Sequence, residues 1–392
     1  MLRAAHLIHL AVIALLGLAV VMVHSAAMRV GEDGRFSYLD MVQSRHTVYA
    51  GLAILAMLAA TRINVRQFFH VTGWRNPLWW LLALSIGLVG LAMVPGVGRS
   101  VHGARRWLYL GPSQWSVSFQ PSELLKWVMV LVIAWWCARR GQVMRRFTRG
   151  LLPPLVLVTA AVGLIVIEDL GTAVLIAVVA SLMLFAGGAR WWQMALLCPP
   201  GAAVVVAAIV SSPYRIQRLM AFMDPWADPQ GNGYHPIQSM VTIAGGGLFG
   251  KGLGNSIQKF GYLPEDTTDF LFAVICEEMG ICGAGLVVAL ILALLWVGFG
   301  IIQKCPDCFA RLFGLGVLLT IGMQATINIA VVTVMMPTKG IALPLVSAGG
   351  TGWILTATCL GLIASLDLAN WLDREAKDTD WGKLCPAQVH GT

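Results

Sequence analysis

Asp269 opens one of the longest apolar runs in the chain, and two further carboxylates, Glu265 and Asp266, stand just before it. An aspartate so placed caps a helix by accepting backbone N–H bonds, and capping favours a low pKa. Partial burial at the edge of the run would raise the pKa and equip the same carboxylate as a general base. From residue chemistry alone the cap is the simpler reading.

A second constellation is Gln120-Pro121-Ser122-Glu123-Leu124-Leu125-Lys126. Pro121 suits the first turn of a helix, which puts Glu123 and Lys126 at i,i+3 on one face. They form either a self-satisfied ion pair at a membrane boundary or the polar wall of a cavity, since charges near hydrocarbon usually face one. Glu168, Asp169, Glu277 and Glu278 are further acids within or beside apolar runs, and Asp269, Ala273 and Glu277 share a helix face. Hydrogen bonding between helices and an outward-opening polar cavity both account for them. Lys339, the lone cation of 337–340, either meets a phosphate or solvates its loop.

Residues Gly245 to Gly252 nearly match a phosphate loop, but Gly252 replaces the Ser or Thr that would hold magnesium and no strand precedes it. The segment reads as a flexible turn, or as a nest of N–H groups for a lipid pyrophosphate. Eight cysteines are present, none in a segment placed on the extracytoplasmic side, so a disulfide framework is not expected. Cys305 and Cys308 form a lone CxxC without the second ligand pair that structural zinc needs.

These residues need positioning elements, and composition says what those are. The chain has 392 residues, 58% hydrophobic and 12% charged, about half the charged fraction of soluble domains. Apolar runs long enough to cross about 30 Å of hydrocarbon recur along it. The net charge of +8 lies between those runs, which speaks against a nucleic-acid partner. The pattern predicts an all-α polytopic bundle, a single transmembrane domain over 1–392. About ten spans are expected, at 6–27, 47–61, 77–95, 122–138, 151–168, 171–188, 191–211, 269–302, 309–335 and 345–370. The run 269–302 is too long for one straight span, and Gly280, Gly283 and Gly285 mark a kink or tilt. Arg62, Arg66 and Arg75, and Arg139, Arg140, Arg145, Arg146 and Arg149, make two short loops cytoplasmic. Both termini are then cytoplasmic, and the long loop 212–268 is extracytoplasmic, ordered and packed on the membrane surface.

The stretch from Tyr214 to Gly283 resembles the SEDS family (shape, elongation, division and sporulation). The residues that carry this are Tyr214-Arg215, Asp224 to Asp228, Gly233-Tyr234, Gln238-Ser239, Gly250 to Gly254, Gln258-Lys259, Tyr262 to Glu265, Thr268-Asp269-Phe270 and Glu277 to Gly280. Gly103 to Trp107, Phe119 to Glu123, Asp169 to Thr172, Gln324, Asn328, Pro337 to Gly340 and Ser347 to Gly350 are similar to its other marks. The Pro-Thr-Lys-Gly form at Lys339 is most like the division-type subgroup, FtsW. Asp266 and Thr267 replace the usual Ala and His, His235 stands where Gln is usual, and Ala348 replaces Tyr.

The resemblance implies a peptidoglycan glycosyltransferase of the bacterial plasma membrane that polymerises lipid II. The donor is a glycan on undecaprenyl pyrophosphate, and α inverts to a β-1,4 bond. It makes Asp269 the base, against the cap preferred above, and assigns Glu123 and Lys126 to a central cavity. Arg106, Lys339, Gln238, Ser239, Glu265 and Ser347 are the other expected substrate contacts. The residues specify no cofactor with certainty; a divalent cation, Mg or Mn, is the candidate for steadying the pyrophosphate. Expected partners are other division proteins and a class B penicillin-binding protein, a single-span transpeptidase that would meet spans eight and nine and the outer loop, where Gly314, Gly316 and Gly322 allow close helix approach. A lipid II flippase and a non-catalytic scaffold are the rival readings.

Overall fold

The computed structural model describes residues 3–27, 38–67, 71, 73–101, 104–110, 117–256 and 267–384. Glu265 and Asp266, with Gln258, Lys259 and Tyr262 of the family stretch, lie outside the described residues. The helices are α1 (Ala4–Ala26), α2 (Tyr38–Gln43), α3 (Arg45–Ala60), α4 (Pro77–Met93), α5 (Pro121–Arg140), α6 (Leu152–Ile165), α7 (Leu170–Ala186), α8 (Trp191–Val210), α9 (Pro213–Met223), α10 (Tyr234–Gly246), α11 (Leu271–Gln303), α12 (Cys308–Val332) and α13 (Thr351–Leu384).

Helix starts follow local chemistry. Ser44, Asn76, Asp169 and Asp307 each accept a backbone N–H at the head of α3, α4, α7 and α12, and Pro121 opens α5. Such caps satisfy N–H groups that have no partner within the helix. Among the described residues, seven helical segments are long and apolar enough to cross a membrane. The other three expected spans coincide with α3, α4 and α7, apolar helices of 16, 17 and 17 residues. At 1.5 Å per residue these extend about 25 Å, short of the hydrocarbon thickness on their own. Buried α12 is the central pillar, packed against α5, α7 and α11, while α13 lies along α3. By contrast α8, with Gln193 its lone buried residue, stands at the edge.

Three features depart from the expectation. The first is a small antiparallel sheet of β1 (Gly98–Val101), β2 (Ala104–Leu110) and β3 (Val117–Phe119), within an otherwise helical chain. Its registers set Gly98 and Phe119 on either side of Leu108, which is buried. Trp107 and Tyr109, aromatic residues that favour strands, are the local signal for β2.

The second concerns the glycine-rich segment, which is no flexible turn. α11 breaks at Gly280, whose φ of 67° and ψ of −165° are open only to glycine. Lys251 and Gly252 donate backbone N–H bonds to the carbonyls of Glu277 and Glu278 above the break, at 2.9 Å each. Below it, Ile281 and Cys282 donate to Gly247 and Leu248. A Cβ on Gly246 would overlap the Cys276 carbonyl and one on Gly250 that of Glu278. These glycines exist so that a loop can be stitched into a split helix. Lys251 reaches Glu277 at 2.6 Å, and Ser25 and the Ser256 N–H bind Glu278. Residues 234–256 therefore do not simply lie on the membrane surface. They descend beside the first turns of α11 to a level about 15 Å along the helix from its start. Irregular backbone at that depth persists only when held by protein.

The third concerns Gly314, Gly316 and Gly322. A Cβ on each would meet Ile302, Met183 and Leu295 of the chain's own helices, so this stripe packs the bundle itself and is not free for a partner helix.

Candidate active site

Asp269 does not cap α11. The capping position is Phe270, whose side chain offers no acceptor, and Asp269 stands one residue before it. The simpler reading loses its support, and the carboxylate is judged by its neighbours. Those neighbours surround Gly340. A Cβ on Gly340 would stand 2.9 Å from Asp269 Oδ2 and 3.9 Å from Arg106 Nη2. The bare backbone after Lys339 thus lets the carboxylate, the guanidinium and the 337–340 segment converge.

β2 brings Arg106 to this point, and its Nη1 lies 3.5 Å from Asp169 Oδ2. Asp169 is buried and also accepts from the Thr172 N–H, the Thr172 hydroxyl and, at 3.5 Å, Gln120. It is a fixed anion that orients Arg106. Burial pushes the half-buried Lys339 ammonium below the ordinary lysine pKa; Asp169 draws it part of the way back, and Arg215 opposes that. Arg218 of α9 donates to the Thr338 carbonyl at 3.2 Å, and Arg215 holds the Val166 and Ile167 carbonyls. α9 therefore fastens both the Lys339 segment and the end of α6 with cationic groups.

The ion pair forms as the spacing predicted, with Lys126 Nζ 2.7 Å from Glu123 Oε2. Lys126 is the more deeply buried partner, its side chain 2% exposed against 17% for Glu123. It also donates to Gln324 Oε1 at 3.0 Å. Gln324 in turn donates to the Ala342 carbonyl at 3.0 Å. One turn further along α12, Asn328 donates to the carbonyls of Ile341 and Asp269. A polar ladder thus runs from the Glu123–Lys126 pair along α12 to the backbone of Asp269.

Two expected contacts have structural bonds of their own. The buried Ser239 hydroxyl donates to the Val332 carbonyl at 2.6 Å, joining α10 to α12. Ser347 accepts from the Leu343 N–H at 2.9 Å and fixes the turn before α13. Gln238 is half-buried on α10, and Glu265 is not described. Sequence reasoning did not place Asp169, Arg218, Gln324 or Asn328 in the site. Asp169, Gln324 and Asn328 stood among the marks of the resemblance, and the polarity of Gln324 and Asn328 inside an apolar run was a further signal, since such residues face the bundle interior; no such signal marked Arg218. Two departures from the family pattern meet each other: the Ala348 N–H donates to the Thr267 carbonyl at 3.0 Å. A third, His235, lies 6.1 Å from the Phe270 ring beside Asp269.

Residues 5–370 match the model of the FtsW, RodA and SpoVE cell cycle proteins. A probable peptidoglycan glycosyltransferase FtsW of Alkalilimnicola ehrlichii is 38% identical, over 91% of this chain and 88% of its own length. The stage V sporulation protein E of Bacillus subtilis is 34% identical, over 90% and 93%. A chain of a solved peptidoglycan synthase complex, described as coordinating polymerization and crosslinking, superposes with a TM-score of 0.72 at 28% identity, covering 93% of this chain and 97% of that one. The chain is a multi-pass membrane protein and belongs to the FtsW/RodA/SpoVE family, the SEDS proteins that its motifs resemble.

Proposed function

We propose that this chain is a peptidoglycan glycosyltransferase that polymerises lipid II during septal wall synthesis, with Asp269 as the general base. The observation that carries it is the convergence of Asp269, Arg106 and the Lys339 segment on Gly340. That places one carboxylate beside cationic groups, as a reaction releasing a lipid pyrophosphate requires. Asp269 takes the proton of the acceptor sugar hydroxyl as its oxygen attacks the anomeric carbon of the undecaprenyl-linked donor. The bond from that carbon to the pyrophosphate breaks on the opposite face, so the configuration inverts. The charge left on the pyrophosphate is met by Lys339 and Arg106. A divalent cation, Mg or Mn, would steady the charge that develops on the leaving pyrophosphate.

Purified protein supplied with labelled lipid II tests this reading. Polymer supports the enzyme. Movement across a bilayer without polymer supports a flippase, and neither outcome leaves a scaffold.

The arginine-rich loops at 62–75 and 139–149 orient the site outward, with both termini cytoplasmic. In a cysteine-free background, a membrane-impermeant thiol reagent added outside should reach a cysteine at Asn232 and miss one at Gln142. Labelling of the second alone would invert the orientation and every site assignment with it.

A transpeptidase partner of the class B penicillin-binding type follows from the chemistry, because a glycan made by this chain alone would stay uncrosslinked. With the α12 glycines occupied, the surface for its single helix moves to the outer face of α11. There Ile281, Leu292 and Trp296 are exposed, and a groove of about 500 Å³ runs past Ala284, Gly285 and Ile243. Affinity purification from the native host should recover such a transpeptidase, and Trp296→Ala should weaken its recovery. Recovery of none would count against the partnership.

A further inference from the structure

We propose that Asn328 is a positioning residue that fixes the distance between Asp269 and the Lys339 segment. This rests on Asp269 being the base. The Asn328 amide is 1% exposed, and its Nδ2 donates to the Asp269 carbonyl at 2.9 Å and to the Ile341 carbonyl at 2.8 Å. Both neighbours are acceptors, so the NH₂ group must face them, which settles the orientation of the amide. Its Oδ1 is also buried, and no protein group bonds it among the described residues. Burying an amide costs stability unless its groups are bonded, and packing alone would be served by an apolar residue. What the amide gains in exchange is a clamp. One NH₂ group ties the backbone of the base to a backbone position two residues beyond Lys339.

A neighbouring rung makes the clamp directional. Gln324, one turn earlier on α12, holds the next carbonyl, Ala342, and receives Lys126. Consecutive carbonyls of 341–342 are thus pinned to one rigid helix, which carries the ion pair on one rung and the base on the other. Asn328 touches no reacting atom. It acts by setting where the Asp269 carboxylate stands relative to the acceptor hydroxyl. Misplacement of about 1 Å costs on the order of a hundredfold in rate.

The experiment uses full-length protein in proteoliposomes, with polymerisation and binding of fluorescent lipid II both measured. Asn328→Ala should lower kcat about 10- to 100-fold while lipid II affinity stays within about threefold. Asn328→Ser, which keeps one donor, should fall between Asn328→Ala and wild type. Combined with Asp269→Glu, whose longer side chain already misplaces the carboxylate, Asn328→Ala should cost far less than it does alone, because the two act on one feature. Wild-type kcat in folded Asn328→Ala overturns the proposal. So does a loss of kcat matched by a loss of lipid II affinity, or multiplicative losses in the double variant. Asp269→Asn in the same assay keeps the two claims apart. Full activity there removes the base assignment itself, whereas its inactivity beside an active Asn328→Ala removes only the positioning role.

Discussion

Lys126→Met should lower lipid II polymerisation by roughly two to three orders of magnitude while the protein still inserts in the membrane. Its ammonium bonds Glu123 at 2.7 Å and Gln324 at 3.0 Å, and its side chain is almost wholly buried. Methionine matches the length of the stem but donates nothing. It leaves Glu123 a partly buried carboxylate without this cation and frees the Gln324 acceptor. The first effect should also destabilise the fold, because breaking a buried pair costs about 3–5 kcal/mol. Melting must therefore be followed with activity, and a second variant separates the two effects. Glu123→Gln combined with Lys126→Met removes both charges together, so it should recover much of the lost stability and none of the lost activity. Turnover at the wild-type level in Lys126→Met would reduce the pair to a bystander. Recovered activity in the double variant would make its role purely structural.

The elements that position this pair were legible because their physics is local. Pro121 opens α5, Glu123 and Lys126 follow three residues apart, and helix geometry alone makes them meet. The long apolar runs are similarly local signals, as was the break in α11, placed at Gly280 by glycines in a run too long for one span. What sequence did not disclose is the meeting of distant segments. Residues 246–252 read as a loose turn because nothing within them says that the carbonyls of Glu277 and Glu278 will complete their hydrogen bonds. The same holds for Gly314, Gly316 and Gly322. Small residues on a helix announce a close approach without saying whose side chain makes it. Asp169 was visible as an acid beside an apolar run, yet its bond to Arg106 depends on a strand the all-helical reading did not include. Whether Asp269 or Phe270 stands at the cap position of α11 is a matter of a single residue of helix boundary, below the precision of any pattern argument.

Asp269→Asn should leave the fold and lipid II binding intact and lower polymer formation by roughly two to four orders of magnitude, the usual contribution of a positioned base. The substitution changes little in shape. Asparagine also caps as well as aspartate, so any residual capping by this side chain would survive. The backbone carbonyl that Asn328 holds is unchanged, which keeps residue 269 in place beside Gly340. What is lost is the ability to take a proton from a sugar hydroxyl. Glu265 and Asp266 precede it by a few residues, and Glu265→Gln and Asp266→Asn should each cost less. The decisive measurement is glycan polymer formed from labelled lipid II by purified wild-type and Asp269→Asn protein, side by side, each shown to be folded and to bind lipid II. Long glycan strands from the wild type and almost none from the variant is the expected result; near wild-type synthesis by Asp269→Asn would contradict the assignment of Asp269 as the base.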